Sequence, residues 1–156
     1  MLLISMKSNM SVAYSLATPV IALMLVSALF TLVQLTHAQQ IDLDVTKATG
    51  DKPYGGEKIG TVSITPAGHV VKLVGNMTVN PSAGKVYEGW FVDAGGSGHK
   101  LSLGEFSKNG TIHFDQQMVN PYTYTQFMVT EEPFEDVDPG AAGALGGAQL
   151  QAPFTR

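Results

Sequence analysis

The chain has 156 residues, no cysteine, nine Lys/Arg against thirteen Asp/Glu, and a formal net charge of −4 at pH 7. The missing cysteines exclude disulfides, thiolate metal sites and type-1 copper ligation. No Lys/Arg cluster is present and every acidic residue lies after Gln40. No nucleic-acid partner is therefore expected, and anionic membrane surfaces are disfavoured.

Residues 1–38 read as an export segment. Lys7 is their one charged side chain, residues 19–35 are almost wholly apolar, and Thr36-His37-Ala38 places small residues where a signal peptidase cuts. Cleavage after Ala38 is the first reading. An uncleaved anchor is the second, because residues 12–35 are long and apolar enough to cross a bilayer; any membrane contact would then run through this segment alone. A third reading takes ATPVIALMLVSALFTLV as a hydrophobic assembly helix, which resembles that of archaeal pilins.

The remainder has room for one domain of about 115 residues. Residues 39–57 supply a first strand and a loop. In IDLDVTK, Ile41, Leu43 and Val45 alternate with Asp42, Asp44 and Thr46, as a half-exposed strand requires. Residues 48–57, with Pro53 and Gly55-Gly56, read as the loop. Residues 58–156 form the main domain. Strands over 58–65 and 69–79 flank a turn at Pro66-Ala67-Gly68, with Gly75 as a bulge or bend.

Residues 84–106, GKVYEGWFVDAGGSGHKLSLGEF, read as the central hairpin. Val86, Glu88, Trp90 and Val92 alternate with Tyr87, Gly89, Phe91 and Asp93, as in a strand packed on both faces. Three glycines in residues 94–98 then turn the chain, and Leu101, Leu103 and Phe106 resume the core. Asn109-Gly110 supplies the next hairpin tip. Residues 111–117 follow with Ile112 and Phe114 inward. A turn at Asn120-Pro121 leads to a strand over 123–130, with Phe127 and Val129 on one face and Tyr124 and Met128 on the other. Residues 131–138 carry five carboxylates, residues 139–147 are Ala/Gly-rich and read as a flexible loop, and 148–154 regain alternation as a last strand. Seven or eight short strands without a helix after Gln40 predict an all-β class, an Ig-like antiparallel β-sandwich.

Part of this pattern resembles a known family. Gly84, Lys85, Tyr87 and Trp90, then Ser102, Leu103, Gly104 and Phe106, then Val129, Thr130, Glu132 and Pro133 are similar to the motif run of the extracytoplasmic C-terminal domain of anti-sigma-K factors. The likeness covers about residues 58–154. Gly89 and Glu131 stand where the family prefers apolar side chains, and FEDVD replaces a Gly-Ser-Pro loop. The resemblance implies a non-catalytic sensing or binding sandwich outside the cytoplasm, meeting a protein or small ligand at the cell surface. Only about fifteen residues precede the apolar run, too few to fold into the sigma-binding half.

Chemistry has little foothold. There is no nucleophile elbow, Walker loop, HExxH or Rossmann fingerprint, and no cofactor or catalytic residue is expected. His69, His99 and His113 lie on separate elements. The candidates for a metal are His99, which ends the glycine loop beside Asp93, and Glu132, Glu135 and Asp136 in the acidic run, where a divalent cation would relieve crowded charge. A solvated acidic loop is the competing account, and no metal is expected to bind tightly. Asn76-Met77-Thr78 and Asn109-Gly110-Thr111 match the N-glycosylation sequon, Asn109 on the more accessible element. A pilin-like or surface structural subunit is the alternative to the sensing domain.

Overall fold

The computed structural model describes residues 39–135 and 140–151. The expected export segment with its Ala38 junction, Asp136, and the final residues of the expected last strand lie outside the described residues. Eight strands follow one another: β1 (Ile41–Thr49), β2 (Lys52–Ala67), β3 (Val70–Met77), β4 (Lys85–Val92), β5 (Lys100–Glu105), β6 (Thr111–Gln117), β7 (Gln126–Pro133) and β8 (Ala144–Gln149). All pair antiparallel in one sheet of order β5-β4-β7-β8-β1-β2-β3-β6. The all-β antiparallel class is as expected.

The sheet bends on itself because its apolar residues share one parity. Val71 and Leu73 of β3, Phe91 of β4, and Phe127 and Val129 of β7 are each at most 1% exposed. Five strands separate β4 from β6 in the sheet, yet Phe91 packs edge-on against Phe114 with ring centroids 6.2 Å apart. Such a contact requires the sheet to fold into two facing layers. Ile112 and Phe114 point inward as their alternation predicts.

Two glycines make room at the centre. A Cβ at Gly75 would stand 2.8 Å from Ile112 Cγ2, and one at Gly89 would stand 2.9 Å from Ile112 Cδ1, with Phe106 against both. Gly75 is therefore no bulge. It pairs in unbroken register with Val62 and Ile112, and the missing side chain admits its neighbour. The same packing accounts for glycine at position 89.

Three further expectations are corrected. The loop expected at 48–57 is the distal part of the β1–β2 hairpin, turning at Gly50-Asp51. Pro53 and Tyr54 fall in a bulge between the Thr49↔Lys52 and Ala48↔Gly55 pairs, where a missing N–H is tolerated. Asn109-Gly110 makes a tight turn but not a hairpin tip, because β5 pairs with β4 and β6 with β3. Tyr124 precedes β7 instead of sharing a face with Met128; it follows a 3₁₀ turn at Pro121–Thr123 and stacks on Phe91 at 5.6 Å.

The last strand is β8, which starts at Ala144, within the stretch 139–147 read as a flexible Ala/Gly loop, and runs into the expected strand as far as Gln149. It joins the layers through only two residue pairs with β1, Thr46↔Gly147 and Lys47↔Gly146. Small residues are what this position demands: a Cβ on Gly146 would meet Thr46 O at 2.5 Å and Ile59 Cδ1 at 2.6 Å.

Candidate functional site

At one end of the sandwich, the loop after β3 and the turn after β5 face each other across the start of β4. Both are held by backbone. Thr78 N–H donates to Ile59 O (2.8 Å), Lys85 N–H to Ser82 O (3.0 Å) and Phe134 N–H to Gly84 O (3.1 Å). Glu131 accepts Ser82 N–H at 2.7 Å and its hydroxyl at 3.2 Å. On the opposite side, Gly110 N–H donates to Ser107 O and Met77 N–H to Gly110 O, each at 2.8 Å. The chain's own hydrogen bonds thus hold both walls.

Between them lies a groove of about 490 Å³. Tyr87 and Phe106 meet edge-to-face at 6.3 Å in its lining, and Val86 and Pro81 extend the apolar surface. Val79 and Phe134 stand exposed at its margin, Phe134 at 62%. Lys85, Lys108 and Glu105 contribute charge. Burial, and then the charge of Glu131, push the Tyr87 hydroxyl above its ordinary range, so it stays protonated at neutral pH. A second cavity of about 380 Å³ lies between β5 and β6, lined by Leu101, Phe114, Met118 and Tyr124 with glutamine and asparagine side chains and, among the described residues, no Asp, Glu, His, Lys or Arg.

A sequence model described as the C-terminal region of anti-sigma-K factor rskA matches residues 12–144. The chain belongs to this family. The match begins at residue 12, well before the likeness recognised from residue 58, and takes in the apolar stretch. No curated protein and no solved structure matches the chain.

The residues of the anti-sigma-K motif take separate tasks. Tyr87, Leu103 and Phe106 belong to the main core, and Gly104 pairs with Gly89 across the β4–β5 ladder. Trp90 is on the other face of β4, in a second cluster with Val92 and Met128, covered by Ala141 and Ala144. Its Nε1–H donates to Thr130 Oγ1 at 2.9 Å. Glu132, 4% exposed, accepts Ala142 N–H at 2.8 Å and so fixes that cover. Pro133 ends β7 opposite Lys85.

The suggested metal ligands are not brought together. Adjacent on β7, Glu131 holds Ser82 while Glu132 holds Ala142; Glu135 is exposed with φ 62°. Asp136 is outside the described residues. His99 is exposed, its ring 6.4 Å from Tyr124, and its carbonyl accepts Asp93 N–H. The Asp93 carboxylate accepts Ser97 N–H and Oγ–H, both at 2.9 Å, and these bonds, with a smaller contribution from His99, hold it below the usual carboxylate range. Among the described residues no three His, Asp or Glu groups are placed to share an ion. Asn109 is exposed on its turn, and Asn76 is exposed on β3 between Thr61 and Thr111.

Sequence reasoning did not single out the groove. Its traces there are slight: Val79 continues the parity of the β3 core beyond the strand, and Phe134 is an aromatic within an acidic run.

Proposed function

We propose that this domain is a non-catalytic sensing module that works outside the cytoplasm and takes its ligand in the groove between the β3–β4 loop and the β5–β6 turn. The carrying observation is the groove itself: a largely apolar concavity with Val79 and Phe134 exposed beside it. Sites of this size, largely apolar with a few polar groups, are characteristic of small-ligand binding. Membership of a regulatory family supports sensing over turnover, and the apolar run with its small-residue junction supports export.

Two measurements test the reading. Thermal stability of the full-length chain across a set of small molecules should show ligands that raise the Tm of the native protein but not of Val79→Asp. No such ligand, or an equal effect on the variant, would overturn the groove. For location, the absence of cysteine makes a thiol at Lys108→Cys unique. A membrane-impermeant maleimide should label it in intact cells; labelling only after lysis would place the domain in the cytoplasm.

A further inference from the structure

Building on that reading of the groove as the ligand site, we infer that it takes a small apolar acid, with an aryl or alkyl body against Tyr87 and Phe106 and a carboxylate beside Lys85 and Lys108. The lysines carry the assignment. Lys47, Lys58 and Lys72 each hold a carboxylate on a neighbouring strand, Glu57 at 2.9 Å, Asp44 at 2.6 Å and Asp115 at 3.3 Å. Among the described residues Lys52, Lys85, Lys100 and Lys108 form no ion pair, and of these four Lys85 and Lys108 line the apolar groove.

They approach it from different elements. Lys85 opens β4, between the two walls, and Lys108 sits on the turn after β5, so the two lysines line the groove from separate elements. An uncharged ligand would leave both without a counter-charge; a cation would meet both unfavourably. Glu105 lines the same groove. Among the described residues that line the groove, two ammonium groups stand against one carboxylate, Glu131 outside the lining being held by Ser82, so a monoanion is favoured, while a second negative charge on the ligand would oppose Glu105.

The decisive experiment titrates the full-length chain, labelled at valine methyls, with 4-phenylbutyrate, 4-phenylbutan-1-ol and 4-phenylbutylamine. Val79 and Val86 should shift, and Val74, exposed on β3 outside the groove, should not. The acid should bind about fivefold more tightly than the alcohol, the scale of two solvent-exposed ion pairs, and the amine most weakly. The Lys85→Gln, Lys108→Gln double variant should lose the acid's advantage and keep the alcohol's affinity. If the alcohol matches the acid, or the advantage survives the double variant, the acid assignment falls while the groove reading stands. If no ligand moves Val79 and Val86, or Val74 moves equally, both fall.

Discussion

Trp90 donates its indole N–H to Thr130 Oγ1 at 2.9 Å on the outward face of the sheet, opposite the main core. The bond spans adjacent strands: Trp90 pairs with Met128 of β7, two residues before Thr130. A large aromatic on the outside of a sandwich is stable here because residues 140–144 return over it, with Ala141 and Ala144 on the ring side and Glu132 anchoring Ala142.

Trp90→Ala should therefore cost about 3–5 kcal/mol, as for other large-to-small changes at buried sites. Trp90→Phe keeps most of the packing and should cost less. Combined with Thr130→Val, it should give a coupling energy near 1 kcal/mol in a double-mutant cycle by denaturant unfolding. Strict additivity of the two changes would mean that the hydrogen bond contributes nothing.

Ile112 answers two glycines with different atoms, and this gives a sharper test. Gly75→Ala and Gly89→Ala should each destabilise by about 1–3 kcal/mol through overpacking. Adding Ile112→Val removes Cδ1, the atom nearest the Gly89 position, but keeps Cγ2, the atom nearest Gly75. The valine should relieve Gly89→Ala and leave Gly75→Ala unrelieved. Equal relief of both, read from urea midpoints, would refute the packing described.

Glu132→Ala should loosen residues 140–144 by removing the acceptor of Ala142 N–H, costing about 1–3 kcal/mol. Glu132→Gln retains an acceptor and should cost less. The readout is the emission of Trp90, the single tryptophan, which should shift to the red in Glu132→Ala as water reaches the ring. An unshifted spectrum with normal stability would show that the cover does not depend on Glu132.

The loop after β4 should depend on acid. Hydrogen bonds from Ser97 lower the folded pKa of Asp93, so its stabilising contribution is fully present above the unfolded value near 3.9 and is lost as pH falls through the lower folded value. The Ser97 amide should keep its protection and chemical shift down to about pH 4 and lose them below it. In Asp93→Ala that amide should be unprotected at every pH. A transition near neutral pH would show that the Asp93 carboxylate does not control the loop.

Much of the fold was legible in the chain. Period-2 alternation in residues 41–46, 71–77 and 111–115 fixed both the strands and their inward faces, because side chains on a strand must alternate and only one face can reach the core. The antiparallel class followed from turn chemistry at short spacing. The groove was not legible, since its walls come from the β3–β4 loop, the start of β4, the β5–β6 turn and Phe134, and nothing local brings Val79 to Phe134.

Apolar residues at alternate positions were enough to dictate an all-β domain with Ile112 and Phe114 inside, but not which face of β4 or β7 meets the main core. Tertiary structure alone decided which strands became neighbours, that Gly75 and Gly89 yield to Ile112, and that an Ala/Gly run becomes β8. These outcomes depend on contacts between residues far apart in the chain. Gly146 and Gly147 look like linker residues in isolation, where they offer no side chain to bury; between β7 and β1 the same lack lets three backbones pack.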